Sequence, residues 1–127
     1  MKKMIKILFA SLLVLSLAAC SMEPPSWAKP GKHKELKDMK IGLSISTLDN
    51  PFFVSMKNGV LREAKKKGMK VITVDAQNDT AKQINDIEDL IQQGVDILLI
   101  NPTDSAAVSS AVQSANHIGI PVITLDR

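Results

Sequence analysis

With 127 residues and 45% hydrophobic side chains, the chain has enough apolar material to build one cored domain, which excludes a disordered segment. Its formal charge of +3 comes from Lys2, Lys3 and Lys6, which precede the first acidic residue, Glu23. Beyond that start, 13 basic and 13 acidic side chains cancel, so a pI near 9.1 is no mark of a nucleic-acid binder.

In chain order, the first element is an export signal: a basic start, an apolar run from Ile7 to Ala19, then small residues. The run is shorter than the roughly 20 apolar residues of a permanent membrane helix. Leu17-Ala18-Ala19-Cys20 resembles the lipobox of bacterial lipoproteins, which implies a signal peptide over 1–19 and lipidation of Cys20. Cys20 is the only cysteine, so no intramolecular disulfide is open to it. An ordinary signal peptide with a chance cysteine is the alternative. Acyl chains contribute about 0.8 kcal/mol per buried methylene, and two or more make anchoring stable. Residues 20–37 follow with Pro24, Pro25, Pro30 and Gly31 and no apolar period, as in a lipid-anchored tether. Trp27 reads as a contact with the bilayer interface or the domain surface, and His33 has no second ligand nearby to make a metal site.

Residues 38–127 form the domain. "KIGLSIST", "KVITVD", "DILLIN" and "PVITLD" are β-branched apolar runs whose starts lie roughly 25 to 30 residues apart, the length of a βαβ unit. The stretches between them carry helix signals. Asn50 is placed to cap a helix with Pro51 at its first position, and Phe53, Met56, Val60 and Ala64 form one stripe ending at Gly68. A second helix opens on Thr80 with Gln83 completing a capping box, shows Ile84, Ile87 and Ile91, and stops at Gly94. A third starts near Asp104 or Ser105, carries Val108, Val112 and Ala115, and stops by Gly119. Apolar strands joined by helices imply a doubly wound α/β fold, a parallel sheet in the order 2-1-3-4. "PVITLD" would be an apolar edge strand, open to pairing, and the sheet reads as unfinished.

Ligands of open α/β sheets bind beyond the carboxyl ends of the strands. There the sequence sets Asp49 through Phe53, Asp75 through Asp79, Asn101 through Asp104, and Asp126 with Arg127. Phe52 and Phe53 cannot both enter the core, since adjacent helical residues point about 100° apart. One ring is left for the cleft, where a flat apolar face suits the C–H face of a sugar. Asn50 offers donors and an acceptor, Asp126 accepts from hydroxyls, and Arg127 donates through a planar fork. A neutral polyol uses such a mixture. The same residues equally fit a plain helix cap, a surface ion pair and an aromatic surface cover.

No phosphate loop, nucleophile elbow or metal-ligand spacing is present, so the sequence supports neither an enzyme nor a cofactor. A phospho-acceptor receiver shares the strand order, but needs an acceptor Asp after the third strand and paired acids after the first. Here Asn101 and the single Asp49 stand in those places.

"STLDNPFFVSMKNG", "LLINPTDSAAV" and "IPVITLDR" together resemble the periplasmic-binding-protein and LacI-type sugar-binding family, in particular its ribose-binding members in bacterial ABC importers. The similarity runs from about Asp38 to Arg127. It implies a partial N-terminal lobe of a type I periplasmic binding protein, a lipid-anchored extracytoplasmic receptor that closes on D-ribose and delivers it to ABC permease and ATPase subunits. It also implies that Asn50, Phe52, Phe53, Asp126 and Arg127 contact the sugar, the rings sandwiching the pyranose. A LacI-type transcription regulator is the alternative within this fold, but regulators carry a helix-turn-helix where this chain has an export signal. Family members continue past "TLDR" into a second lobe, so the chain on its own is expected to bind ribose weakly or not at all.

Overall fold

The structure is a computed structural model that describes residues 34–126. The signal segment, Cys20, Trp27, His33 and Arg127 lie outside the described residues. After a 3-10 turn at Leu36–Asp38, across the expected boundary between tether and domain, the chain builds β1 (Lys40–Ile45), α1 (Pro51–Lys66) and β2 (Lys70–Asp75). It continues through α2 (Thr80–Gln92), β3 (Ile97–Ile100), α3 (Ser109–His117) and β4 (Val122–Thr124).

The four strands form one parallel sheet in the order β2-β1-β3-β4, as the sequence implies. β1 lies inside, pairing Lys40 through Ile45 with Lys70 through Asp75 on one side and Ile41 through Ser44 with Ile97 through Ile100 on the other. Successive strand residues point to opposite faces, so the apolar runs feed two cores. Leu43 and Ile45 meet Phe53 of α1, with Met56, Val60 and Leu99 packed around them. On the other face Leu98 and Ile100 meet Ile87 and Leu90 of α2 and Ala111 and Ala115 of α3.

Small residues on β1 let α2 come close. A Cβ on Gly42 would stand 2.8 Å from Leu98 Cδ2 and 3.2 Å from Leu90 Cδ1. Two residues on, Ser44 presents a hydroxyl rather than a methyl to the same helix and accepts from Gln83 Nε2 at 3.0 Å. Each helix is followed by a glycine with positive φ, at Gly68, Gly94 and Gly119.

Three helix starts test the sequence reading. Asn50 caps α1 with its side chain accepting from Phe52 N, and Pro51 takes the first position as expected. At α2 the cap is Asp79, whose Oδ1 accepts from Lys82 N at 2.9 Å, and Thr80 is already helical. The capping box therefore does not form, and Gln83 turns inward. At α3 the residue before the helix is Val108, with no side-chain capping bond; Asp104 Oδ1 instead accepts from the amides of Ala106 and Ala107 at 2.9 and 2.8 Å. Those bonds close an irregular turn, and regular helix begins later than expected, at Ser109. β1 and β4 are also shorter than "KIGLSIST" and "PVITLD", because Ser46, Thr47 and Leu125 have left the ladder for the loops.

At the opposite pole, the amino end of the sheet, Asp96 gathers the entering chain. Its carboxylate accepts from Lys34 Nζ at 2.7 Å and from the Lys40 amide at 2.8 Å, while Lys40 Nζ donates to Gln93 O at the end of α2. Burial alone would raise the Asp96 carboxyl, but the bonds from Lys34 and the Lys40 amide, with the charges of both lysines, outweigh it and hold the group below its ordinary value.

Candidate sugar site at the carboxyl edge of the sheet

The strand order fixes what can converge. Asn50, Phe52 and Phe53 follow β1, and Asp126 follows β4, with β3 between them. Strands spaced about 4.8 Å apart set β1 and β4 about 10 Å from each other.

Each residue has a definite setting. Asn50 is exposed, and its Oδ1 is engaged by Phe52 N at 2.9 Å, which leaves its amide NH2 as the group that can donate to a ligand. Phe53 is 7% exposed and belongs to the α1-side core with Leu43 and Ile45. Phe52 is 56% exposed, and its ring meets Phe53 edge-on at 5.4 Å with an interplanar angle of 70°. The core thus holds one ring, which in turn braces an open aromatic face at the cleft. Asp126 is exposed, and its backbone is left-handed, with φ of 73°. Arg127, the fifth expected contact, lies outside the described residues.

Beneath the edge lies a polar layer, of which the sequence reading placed Asn101 in the loop after the third strand and Gln83 in a capping box. Gln83 and Asn101 are fully buried. Gln83 Nε2 donates to Ser44 Oγ and Asn101 O, and its Oε1 accepts from the amide and hydroxyl of Thr103 at 2.7 and 3.0 Å. Asn101 Oδ1 accepts from Ser46 N and Oγ, and its Nδ2 donates to Leu125 O. Among the described residues no buried side-chain polar atom lacks a partner. The signal for Gln83 was its spacing: residues 83, 87 and 90 lie on one helix face, and the other two are Ile87 and Leu90.

The β2–α2 loop is folded under this edge. Gln77 and Asn78 are both left-handed, with φ of 54° and 60°, held by Gln77 N donating to Asp75 Oδ1 and Asn78 N to Ser46 O. An open groove between α1 and the sheet, lined by Ile41, Met56, Val60, Ala64 and Leu99, is almost wholly apolar and lacks the converging polar groups a sugar requires. Among the described residues no cluster of His, Cys, Asp or Glu could hold a metal ion.

An open parallel α/β lobe with a polar, aromatic-lined strand edge is the architecture of solute-binding proteins, and solved examples match it. A Mycobacterium smegmatis ABC transporter solute-binding protein with bound glycerol superposes with a TM-score of 0.68 at 39% identity, covering 70% of this chain and 31% of that one. The myo-inositol-binding protein of Caulobacter, bound to myo-inositol, gives 0.67 at 39% identity, covering 70% and 30%. The chain belongs to the family described as periplasmic binding protein domain, whose model matches residues 41–127. It is 63% identical to the ribose import binding protein RbsB of Bacillus subtilis over all 127 residues, and 55% identical to that of Escherichia coli over 87 residues, 68% of the chain. The chain spans 41% and 29% of the lengths of those two curated relatives.

Proposed function

We propose that this chain is the sugar-facing part of a solute-binding protein that captures a monosaccharide, D-ribose foremost, and hands it to the permease and ATPase subunits of an ABC importer, binding without catalysing a reaction. The observation that carries this is that Phe52 and Asp126 both follow the carboxyl ends of strands two positions apart in one sheet: an exposed aromatic face braced by a buried ring after β1, and a carboxylate on left-handed backbone after β4. Ring carbons stack on the aromatic face while hydroxyls donate to Asp126 and accept from the Asn50 amide. Arg127 and Phe53 complete the proposed contacts. Hydrogen bonds to charged groups contribute roughly 1.5–3 kcal/mol when sheltered, but exposed ones compete with water and net about 0.5–1.5 kcal/mol. The names of the ribose-binding relatives support the choice of sugar.

The test is a titration of residues 21–127 with D-ribose, D-xylose and myo-inositol, read by NMR amide shifts. Weak, ribose-preferring shifts confined to Asn50, Phe52, Phe53, Asp126 and Arg127 are expected. Shifts elsewhere would sink the reading, and micromolar affinity would show that one edge suffices.

Residues 1–19 are proposed as the signal peptide, Cys20 as the lipidated residue, 20–37 as the tether and 38–127 as part of the binding lobe, placing the protein outside the cytoplasm on the cell membrane. Palmitate label entering wild type but not Cys20→Ala is the expected result. Equal labelling of both would remove the anchor.

A further inference from the structure

β3 delivers one buried side chain to the centre of the edge. Asn101 follows Ile100 and is 0% exposed. On one side its Oδ1 accepts from Ser46 N at 3.2 Å and Ser46 Oγ at 2.6 Å; on the other its Nδ2 donates to Leu125 O at 3.2 Å. Ser46 opens the loop that leads to Asn50, and Leu125 directly precedes Asp126. Ser46 O in turn receives Asn78 N at 2.7 Å, so the β2–α2 loop hangs on the same point.

Only a carboxamide does this. It carries an acceptor and donors on one planar group, so it satisfies the donors of the β1 exit and the carbonyl of the β4 exit together. A carboxylate would set oxygen against Leu125 O, and an apolar side chain would leave Ser46 N unpaired. Because the peptide unit is planar, holding the Leu125 carbonyl also fixes the plane from which Asp126 departs. Asp126 leaves that plane in left-handed backbone, a conformation that non-glycine residues disfavour unless their surroundings impose it.

We infer that Asn101 is a positioning residue of the sugar edge: its buried carboxamide sets the Asn50–Phe52 loop and Asp126 relative to each other without touching the ligand. The purpose assigned to this tie rests on the sugar-binding reading above. The geometric claim can fail separately, which the experiment exploits.

Wild type, Asn101→Asp and Ser46→Ala are compared in the full chain, 15N-labelled in mild detergent. Ser46→Ala removes one of the three side-chain bonds without burying a charge, and it decides the matter if Asn101→Asp does not fold. Three quantities are read: amide exchange at Asn78 and Leu125 against Leu43 and Leu98 in the sheet, the HN–Hα coupling of Asp126, and D-ribose affinity. Asn101→Asp is expected to speed exchange at Asn78 and Leu125 about tenfold relative to the sheet amides. It also shifts the Asp126 coupling towards that of extended backbone and weakens ribose binding about tenfold. Ser46→Ala gives the same pattern at about threefold. Uniform acceleration of all amides, with the coupling and the affinity unchanged, means that Asn101 only stabilises the fold and overturns the inference, whether or not ribose binds. A local response in a chain whose wild type shows no ribose shifts supports the positioning of the loops, independently of whether this edge alone holds sugar.

Discussion

Phe52 and Phe53 are adjacent in sequence and opposite in role, and truncating each to alanine separates the two. Phe53 is 7% exposed and touches Leu43 and Ile45, so Phe53→Ala empties a core site, a change that costs about 3–5 kcal/mol. Domains of this size have only about 5–15 kcal/mol to lose. Phe52 is 56% exposed, and its main intramolecular contact is the edge-on ring pair, worth about 0.5–1.5 kcal/mol. With a urea slope of about 1.5 kcal/mol/M, Phe53→Ala lowers the unfolding midpoint by about 2–3 M and Phe52→Ala by at most about 1 M. Urea melts followed by far-ultraviolet circular dichroism on residues 21–127 measure both, and ribose-induced NMR shifts in the folded Phe52→Ala protein supply the second axis. The reasoning requires loss of ribose response at near-native stability for Phe52→Ala. Equal midpoint losses for the two variants, or an intact ribose response without Phe52, would refute it.

Asp79→Ala is expected to destabilise by about 1 kcal/mol as the cap of α2, with Thr80→Ala costing less; thermal melts that rank them the other way would restore the capping box. Gly42→Ala forces a methyl to 2.8 Å from Leu98 Cδ2 and is expected to cost about 1–3 kcal/mol in chemical denaturation, whereas a neutral result would mean that the Leu98 end swings clear. Asp96 has its folded-state carboxyl below the ordinary value, so its stabilising contribution is whole above about pH 4 and fades as pH falls through the lower folded value. Stability measured from pH 6 to pH 2 should therefore fall less steeply in Asp96→Asn than in wild type. Parallel curves would contradict the bonds from Lys34 and Lys40.

The framework was legible because each strand is a β-branched run and each helix closes on a glycine, so parallel order and crossovers followed from spacing. Asn50 was legible for the same local reason, an Asn before a Pro. The cap of α2 was not, since Asp79 and Thr80 are both competent caps and only the path of the preceding left-handed loop chooses between them. Gln83 was misassigned to the capping box because a search for apolar period passes over a carboxamide, although its register with Ile87 and Leu90 marks it as inward-facing. Asn101 escaped for a different reason. Its partners, Ser46 and Leu125, lie 55 and 24 residues away, and no local pattern announces a side chain whose value is set by two distant loops. Of the proposed sugar contacts, the sequence foretold that one ring would be buried and one exposed, and the structure assigns burial to Phe53.

The Lys34–Asp96 bridge also bears on approach and obstruction. It fastens the described chain's upstream end at the amino pole of the sheet, and β1 must rise six residues, about 20 Å, before reaching the edge where Asn50 and Asp126 stand. The chain thus enters the domain at the end of the sheet remote from those two residues. The segment upstream of Lys34 and the loops that carry Asn50 and Asp126 therefore do not compete for the same end of the sheet.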